Sequence, residues 1–203
     1  MAVSRVETWD AMHEQHGDVR EWYCGTEACA ALCRDVLEAT PGVVGTPPRV
    51  LHYGCGTSTL GVALADAHGC AVTNTDASAP AVRRMAARYP RHVWRVADAR
   101  DAVAGGPYDL AVDKGVFDSV TAARDTRAAA GTRVAAAVHA ALAASGAWVI
   151  FSSFAPEEKD MRCLIEAAAD WESVDCDAFG GAPLEIPGQD TLFAYVCRRR
   201  PAA

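Results

Sequence analysis

The 203-residue chain contains no run of about eighteen consecutive apolar residues, so no membrane-spanning helix is expected. Its first eighteen residues carry Arg5, Glu7, Asp10, Glu14 and Asp18 along their length, which is not the pattern of a secretory signal. There is no excess of positive charge. Nineteen Lys and Arg stand against 26 Asp and Glu, a formal net charge of −7, and this argues against a protein that coats nucleic acid. Eight cysteines are present, but no C-x-x-C pair and no nearby fourth ligand accompanies Cys24, Cys29 and Cys33, so no metal site is expected. Cys55, Cys70, Cys163, Cys176 and Cys197 are scattered singly among apolar residues and read as small hydrophobes in a reducing compartment. No internal repeat is visible. The expectation is a cytoplasmic protein with neither a membrane nor a nucleic-acid partner.

With 51% hydrophobic and 22% charged residues, the composition is that of a folded domain whose core needs no staples. Strand-like and helix-like segments alternate along it. Residues 28–37 place Cys29, Leu32, Cys33, Val36 and Leu37 on one helical face. Short apolar runs at residues 49–53, 70–75, 92–97, 108–112 and 147–151 read as strands, and residues 58–67, 78–89 and the alanine-rich 121–144 read as helices. Ser78 is placed to cap its helix. Alternation of this kind predicts a parallel sheet with helices on both faces. Residues 171–178 and 191–197 are also strand-like, but the glycine- and proline-rich residues 180–190 between them cannot form a crossover helix. These two strands are therefore expected to be antiparallel neighbours. Arg198, Arg199 and Arg200 read as the solvated end of an edge strand. The whole chain, residues 1–203, is read as one domain: an N-terminal helical cap over residues 1–45 and a Rossmann-like core over residues 49–198.

In an open α/β sheet, ligands bind beyond the carboxyl ends of the strands. The first strand ends in Gly54-Cys55-Gly56, where bare backbone lets a ligand approach closely. A dinucleotide fingerprint would need glycine at position 59, which is Thr59, so the loop alone decides little. Acids at the next two strand ends add to it. Asp76, followed by Ala77, can accept both hydroxyls of a ribose; Asp98, followed by Ala99, can accept an exocyclic adenine amine. Each acid singly could equally be a helix cap or a solvated turn. Together with the glycine loop they fit an adenosine ligand lacking a pyrophosphate.

The run from Gly54 to Leu60, then Asn74-x-Asp76-x-Ser78, then Asp98, resembles the class I, seven-strand S-adenosylmethionine-dependent methyltransferases. The run Asp113-Lys114-Gly115-Val116-Phe117-Asp118 further resembles the D-K-G-T-L-D-A stretch of the methyltransferase-like lysine methyltransferases that act on translation elongation factors, as do Trp9-Asp10 and Glu21-Trp22-Tyr23. His52 stands where many class I members carry an acid, His13 where an aromatic residue follows W-D, and Val116-Phe117 where Thr-Leu is usual. The resemblance implies a seven-strand sheet, mostly parallel with an antiparallel C-terminal pair, and S-adenosylmethionine as cofactor. It implies contacts to that cofactor from Trp9, Trp22, Gly54, Cys55, Gly56, Asp76, Ala77, Asp98, Ala99, Asp113 and Lys114.

Methyl transfer from a sulfonium is a direct displacement, in which the protein chiefly holds donor and nucleophile in line. A lysine acceptor must first lose a proton, and Asp113 at the end of the fourth strand is the carboxylate expected to assist. Asp113 could instead anchor the cofactor ammonium or pair with Lys114. Tyr23 reads as part of a hydrophobic clamp, and His13 with His16 as a solvated face. The expected partner is a protein bearing a lysine, such as an elongation factor, or a small amine. A small-molecule methyltransferase and a non-catalytic binding module of the same fold remain alternatives.

Overall fold

The computed structural model describes residues 6–15, 20–41, 47–101, 105–179 and 191–201. The cap opens with α1 (Val6–Gln15) and α2 (Thr26–Glu38). The core then runs β1 (Arg49–Tyr53), α3 (Leu60–His68), β2 (Ala71–Asp76), α4 (Ala79–Arg88), β3 (Val93–Val96), β4 (Tyr108–Lys114), α5 (Val116–Val120), α6 (Arg127–Ala141) and β5 (Leu142–Ser152). A 3-10 turn precedes α7 (Met161–Glu166), and β6 (Trp171–Phe179) and β7 (Leu192–Arg199) complete the sheet.

Seven strands hydrogen-bond in the order β3-β2-β1-β4-β5-β7-β6. The first five are parallel, and β7 runs antiparallel to both β5 and β6. This is the Rossmann-like methyltransferase sheet that the sequence predicts, with its antiparallel C-terminal pair. The central strands are apolar on both faces because helices cover both. Val50, Leu110, Val112, Ala147, Val149 and Phe151 pack toward α2 and α3, whereas Leu51, Tyr53, Ala111, Trp148 and Ile150 pack toward α6 and α7. Successive side chains of a strand point to opposite faces, so each unbroken apolar run feeds two cores.

Local chemistry sets most boundaries. Ser78 caps α4, its Oγ accepting from Ala81 N at 3.4 Å, and Pro80 stands in the first turn. The alanine-rich helix starts later than expected, at Arg127, because Thr121 turns its hydroxyl back onto Phe117 O at 2.6 Å, ending α5. In α2, Cys29 and Cys33 are buried, and the Cys24 and Cys29 sulfurs lie 2.8 Å apart as thiols. The arginine run does not end an edge strand. β7 is interior and β6 is the edge, and Arg199 Nη1 reaches Leu142 O while Arg200 Nε lies 3.1 Å from Asp170 Oδ2. The connection at residues 180–190 and His16 lie outside the described residues. Among the described residues, no helix is long and apolar enough to cross a membrane.

Candidate active site

Beyond the carboxyl ends of β1 to β4 lies a cavity of about 510 Å³, a size ordinary for a small-molecule site. Its floor is the β1–α3 loop with Gly54, Cys55 and Gly56. Asp76 and Ala77 follow from β2, then Asp98, Ala99 and Arg100 from β3, then Lys114 and Gly115 from β4. Its roof is α1, through Trp9, Met12 and His13, joined by Trp22 and Tyr23 from the segment that follows. α1 is held down on α4, where Arg84 Nη1 donates to His13 O at 2.5 Å. Trp9 stacks on His13 with ring centroids 6.4 Å apart and meets Trp22 edge-on at 6.2 Å.

At the β2 end, Asp76 Oδ2 accepts from Gly56 N at 2.7 Å and Oδ1 from Ser78 N at 2.7 Å. Burial raises its carboxyl above the usual range, against those two amides. A carboxylate offers about four acceptor sites, so each oxygen keeps room for a ribose hydroxyl. Asp98 is fixed by Arg100, whose Nε donates to Oδ1 at 2.9 Å and whose Nη2 donates to Oδ2 at 2.5 Å. The same guanidinium holds Asp98 below its usual pKa. Nothing in the sequence marked Arg100 as its partner except proximity.

His13 is buried against the loop rather than on a solvated face, and burial lowers its pKa, so it is neutral near pH 7. A side-chain carbon on Gly56, at φ +50°, would stand 3.5 Å from His13 Cε1. Only glycine therefore leaves this loop bare toward the cavity in its present conformation. His52, in the position of the usual class I acid, is buried and bonded to Asn74 Oδ1 at 3.2 Å. Burial, with Lys114 nearby, brings its pKa down to about 4.

The structure corrects the role expected of Asp113. It is fully buried on the β4 face shared with Ala111 and does not line the cavity. Its Oδ2 accepts from Tyr53 Oη at 2.5 Å and Phe117 N at 2.9 Å, and its Oδ1 accepts from Val116 N at 2.8 Å. It therefore fastens the first turn of α5 to β1. It does not pair with Lys114. Burial pushes its carboxyl up to about 7 despite these donors.

The carboxylate in the wall beyond β4 is instead Asp118, the last residue of the Asp113–Asp118 run. Its Oδ1 accepts from Ser152 Oγ at 2.6 Å; its Oδ2 accepts from Tyr23 Oη at 2.8 Å and from Ser153 N and Oγ, both at 2.9 Å. Tyr23, at φ +67°, is therefore a bonded part of the wall rather than a purely apolar clamp. Its ring lies on Gly115, where an added Cβ would come within 2.9 Å of Tyr23 Cε2. Lys114 Nζ meets Glu21 Oε2, and Glu21 also accepts from Ser58 Oγ at 2.7 Å and Thr59 N at 2.7 Å. Burial alone would raise the Glu21 carboxyl, but the Lys114 ammonium and these donors hold it at about 2.

This donor set fits S-adenosylmethionine. Asp76 would hold the ribose, Asp98 the adenine amine, and the bare Gly54–Gly56 backbone would pass beneath, with Trp9, His13 and Trp22 above. Of the expected contacts only Asp113 is left behind the wall.

The family model described as a methyltransferase domain matches residues 50–146. No curated protein matches the chain in sequence. Among solved structures it is similar to the 1,6-didemethyltoxoflavin-N1-methyltransferase of Burkholderia thailandensis, with 18% identity, a TM-score of 0.63 and coverage of 96% of this chain and 87% of that one. A TehB-like S-adenosylmethionine-dependent methyltransferase of Corynebacterium glutamicum gives 20% identity and a TM-score of 0.59, covering 96% and 95% of the two chains. The magnesium protoporphyrin IX methyltransferase of Synechocystis gives 16% identity and a TM-score of 0.59, covering 97% and 85%. The match over residues 50–146 and these neighbours agree on the fold: the chain has the class I S-adenosylmethionine-dependent methyltransferase fold.

Proposed function

We propose that this methyltransferase acts on a small organic molecule rather than on a protein lysine. The observation that carries the reading is the state of the carboxylate at the acceptor end. Beyond Gly115 the cavity is lined by Val116, Ser119, Val120, Ala122 and Phe154, with Asp118 as the one acid in that part of the described wall. Four hydrogen bonds from Tyr23, Ser152 and Ser153 already converge on it, one at Oδ1 and three at Oδ2. A lysine ammonium entering this end would lose its water and meet a carboxylate already held by four donors, a cost that rises steeply in a low dielectric. A neutral acceptor with an apolar body meets no such penalty. The structural neighbours support the same direction, since their printed names give toxoflavin-type and porphyrin acceptors.

When bound, the cofactor supplies a methyl group on a positively charged sulfur. The chain's own residues hold the adenosine through Asp76 and Asp98, cover it with α1, and exclude water with the Trp9–Trp22 pair. Trp9, Trp22 and Tyr23 line the cavity, and aromatic rings favour a cation such as the sulfonium. The test supplies methyl-labelled S-adenosylmethionine with a small-molecule extract and, separately, with a protein lysate. Label in the small-molecule fraction supports the proposal. Label on a lysine side chain of a protein, with none in small molecules, favours the elongation-factor type of acceptor and sinks it.

A further inference from the structure

We propose that Tyr23 is the positioning residue for methyl transfer: its oxygen accepts a hydrogen from the attacking nitrogen, so the acceptor is a neutral amine or ring nitrogen that still carries a hydrogen. This rests on the small-acceptor reading above and names the reacting group. The proton of the Tyr23 hydroxyl is already committed. The hydroxyl donates to Asp118 Oδ2 at 2.8 Å, and both residues line the cavity. With its only proton committed inward, the oxygen presents lone pairs rather than a donor toward the cavity. Ser153 Oγ donates its proton to the same Asp118 oxygen at 2.9 Å and so does not spend it on the tyrosine oxygen.

The position is as pointed as the charge state. Tyr23 sits over Gly115, between Lys114 and Val116, at the junction of the adenosine half of the cavity and its apolar end. Its left-handed backbone, at φ +67°, is held by the Cys24 N to Trp22 O bond at 2.8 Å and by the Asp118 bond. Non-glycine residues adopt that conformation only at a cost, and such outliers cluster at functional sites. Burial and the adjacent Asp118 carboxylate raise the phenol's pKa, so Tyr23 stays neutral and orients the nucleophile without acting as a base.

The step needs no base. The nitrogen lone pair forms the bond to the methyl carbon as the carbon–sulfur bond breaks. Sulfur keeps that electron pair and becomes a neutral thioether, and the positive charge moves to the methylated nitrogen. Tyr23 holds one hydrogen of that nitrogen throughout, and the extra proton leaves with the product into solvent. A nitrogen without hydrogen, a thioether or a carbon nucleophile would leave the tyrosine oxygen facing an apolar atom.

The test uses two cofactor analogues on the full chain. Sinefungin carries a protonated amine where the methyl sulfonium stands; S-adenosylhomocysteine carries nothing there. Tyr23→Phe keeps the ring on Gly115 and removes only the oxygen. It should weaken sinefungin about ten- to a hundredfold while changing S-adenosylhomocysteine by less than about threefold. Equal effects on both ligands, or none on either, overturn the proposal; S-adenosylhomocysteine binding by the variant shows that it has folded. A crystal of the wild-type protein with sinefungin gives a second readout. Its amine nitrogen should lie within about 3.2 Å of Tyr23 Oη, and a greater separation refutes the assignment. Failure of the wild-type protein to bind S-adenosylhomocysteine would strike the cofactor assignment itself. Label found only on protein lysine would strike the small-acceptor reading, so the three failures are distinguishable.

Discussion

Lys114 donates to Glu21 across 93 positions of sequence, joining the end of β4 to the segment that roofs the cavity. The two side chains are only 3% and 18% exposed, so neither charge is well solvated without the other. Glu21 also holds Ser58 and Thr59 at the start of α3, and the pair therefore ties roof, loop and sheet together. Glu21→Gln leaves a buried ammonium without its counter-charge. It should destabilise the fold by about 3–5 kcal/mol, and adding Lys114→Met should recover part of that loss. Chemical denaturation of the single and double variants measures both.

The same pair makes an acid limb in stability. The Glu21 carboxyl titrates at about 2 when folded, against an ordinary value of 4.5. Its contribution is complete above the ordinary value and is lost as pH falls from there toward the folded one. Thermal melts should therefore show a decline over that window that is absent from Glu21→Gln.

Asp113 has the opposite sign. Its folded carboxyl, pushed up to about 7, binds a proton more readily than the unfolded chain does. The stabilisation this gives is complete below the ordinary value of 3.8 and disappears as pH rises toward 7. Asp113→Asn removes the slope, so its stability relative to wild type should improve steadily across that range. A constant difference between the two proteins would show that Asp113 does not titrate there.

Gly115 carries φ +90° beneath the Tyr23 ring. Gly115→Ala combines backbone strain with displacement of that ring and should cost about 1–3 kcal/mol. Its melting temperature should fall by roughly 2–12 °C. An unchanged melt would mean that the ring can shift freely.

Much of this was legible in the sequence. Strands β1, β4 and β5 announced themselves as apolar runs because both their faces are covered. The turn Gly54-Cys55-Gly56 and the acids Asp76 and Asp98 at successive strand ends located the cavity. The choice between Asp113 and Asp118 was not legible from motif alone. Strand alternation puts Asp113 on the face of Ala111, toward Tyr53 and Trp148, and that period-two argument was available. No comparable signal marks Asp118, since α5 is a single short turn. His13, one turn from His16 with no third ligand in sight, read as part of a solvated face, and only its packing against Gly56 and α4 buries it. Glu21 was invisible as a ligand of Lys114 because the contact is set by tertiary folding, not by spacing.

The central claim is that the glycine loop and the two strand-end acids form an S-adenosylmethionine site. Isothermal calorimetry with S-adenosylmethionine and NAD, on wild type and Asp76→Ala, tests it most directly. One molecule of S-adenosylmethionine should bind per chain and NAD should not compete. Asp76→Ala should weaken the cofactor about ten- to a hundredfold, the effect of losing charge-assisted hydrogen bonds to the ribose. Tighter binding of NAD, or an affinity for S-adenosylmethionine untouched by Asp76→Ala in a folded protein, would contradict the account.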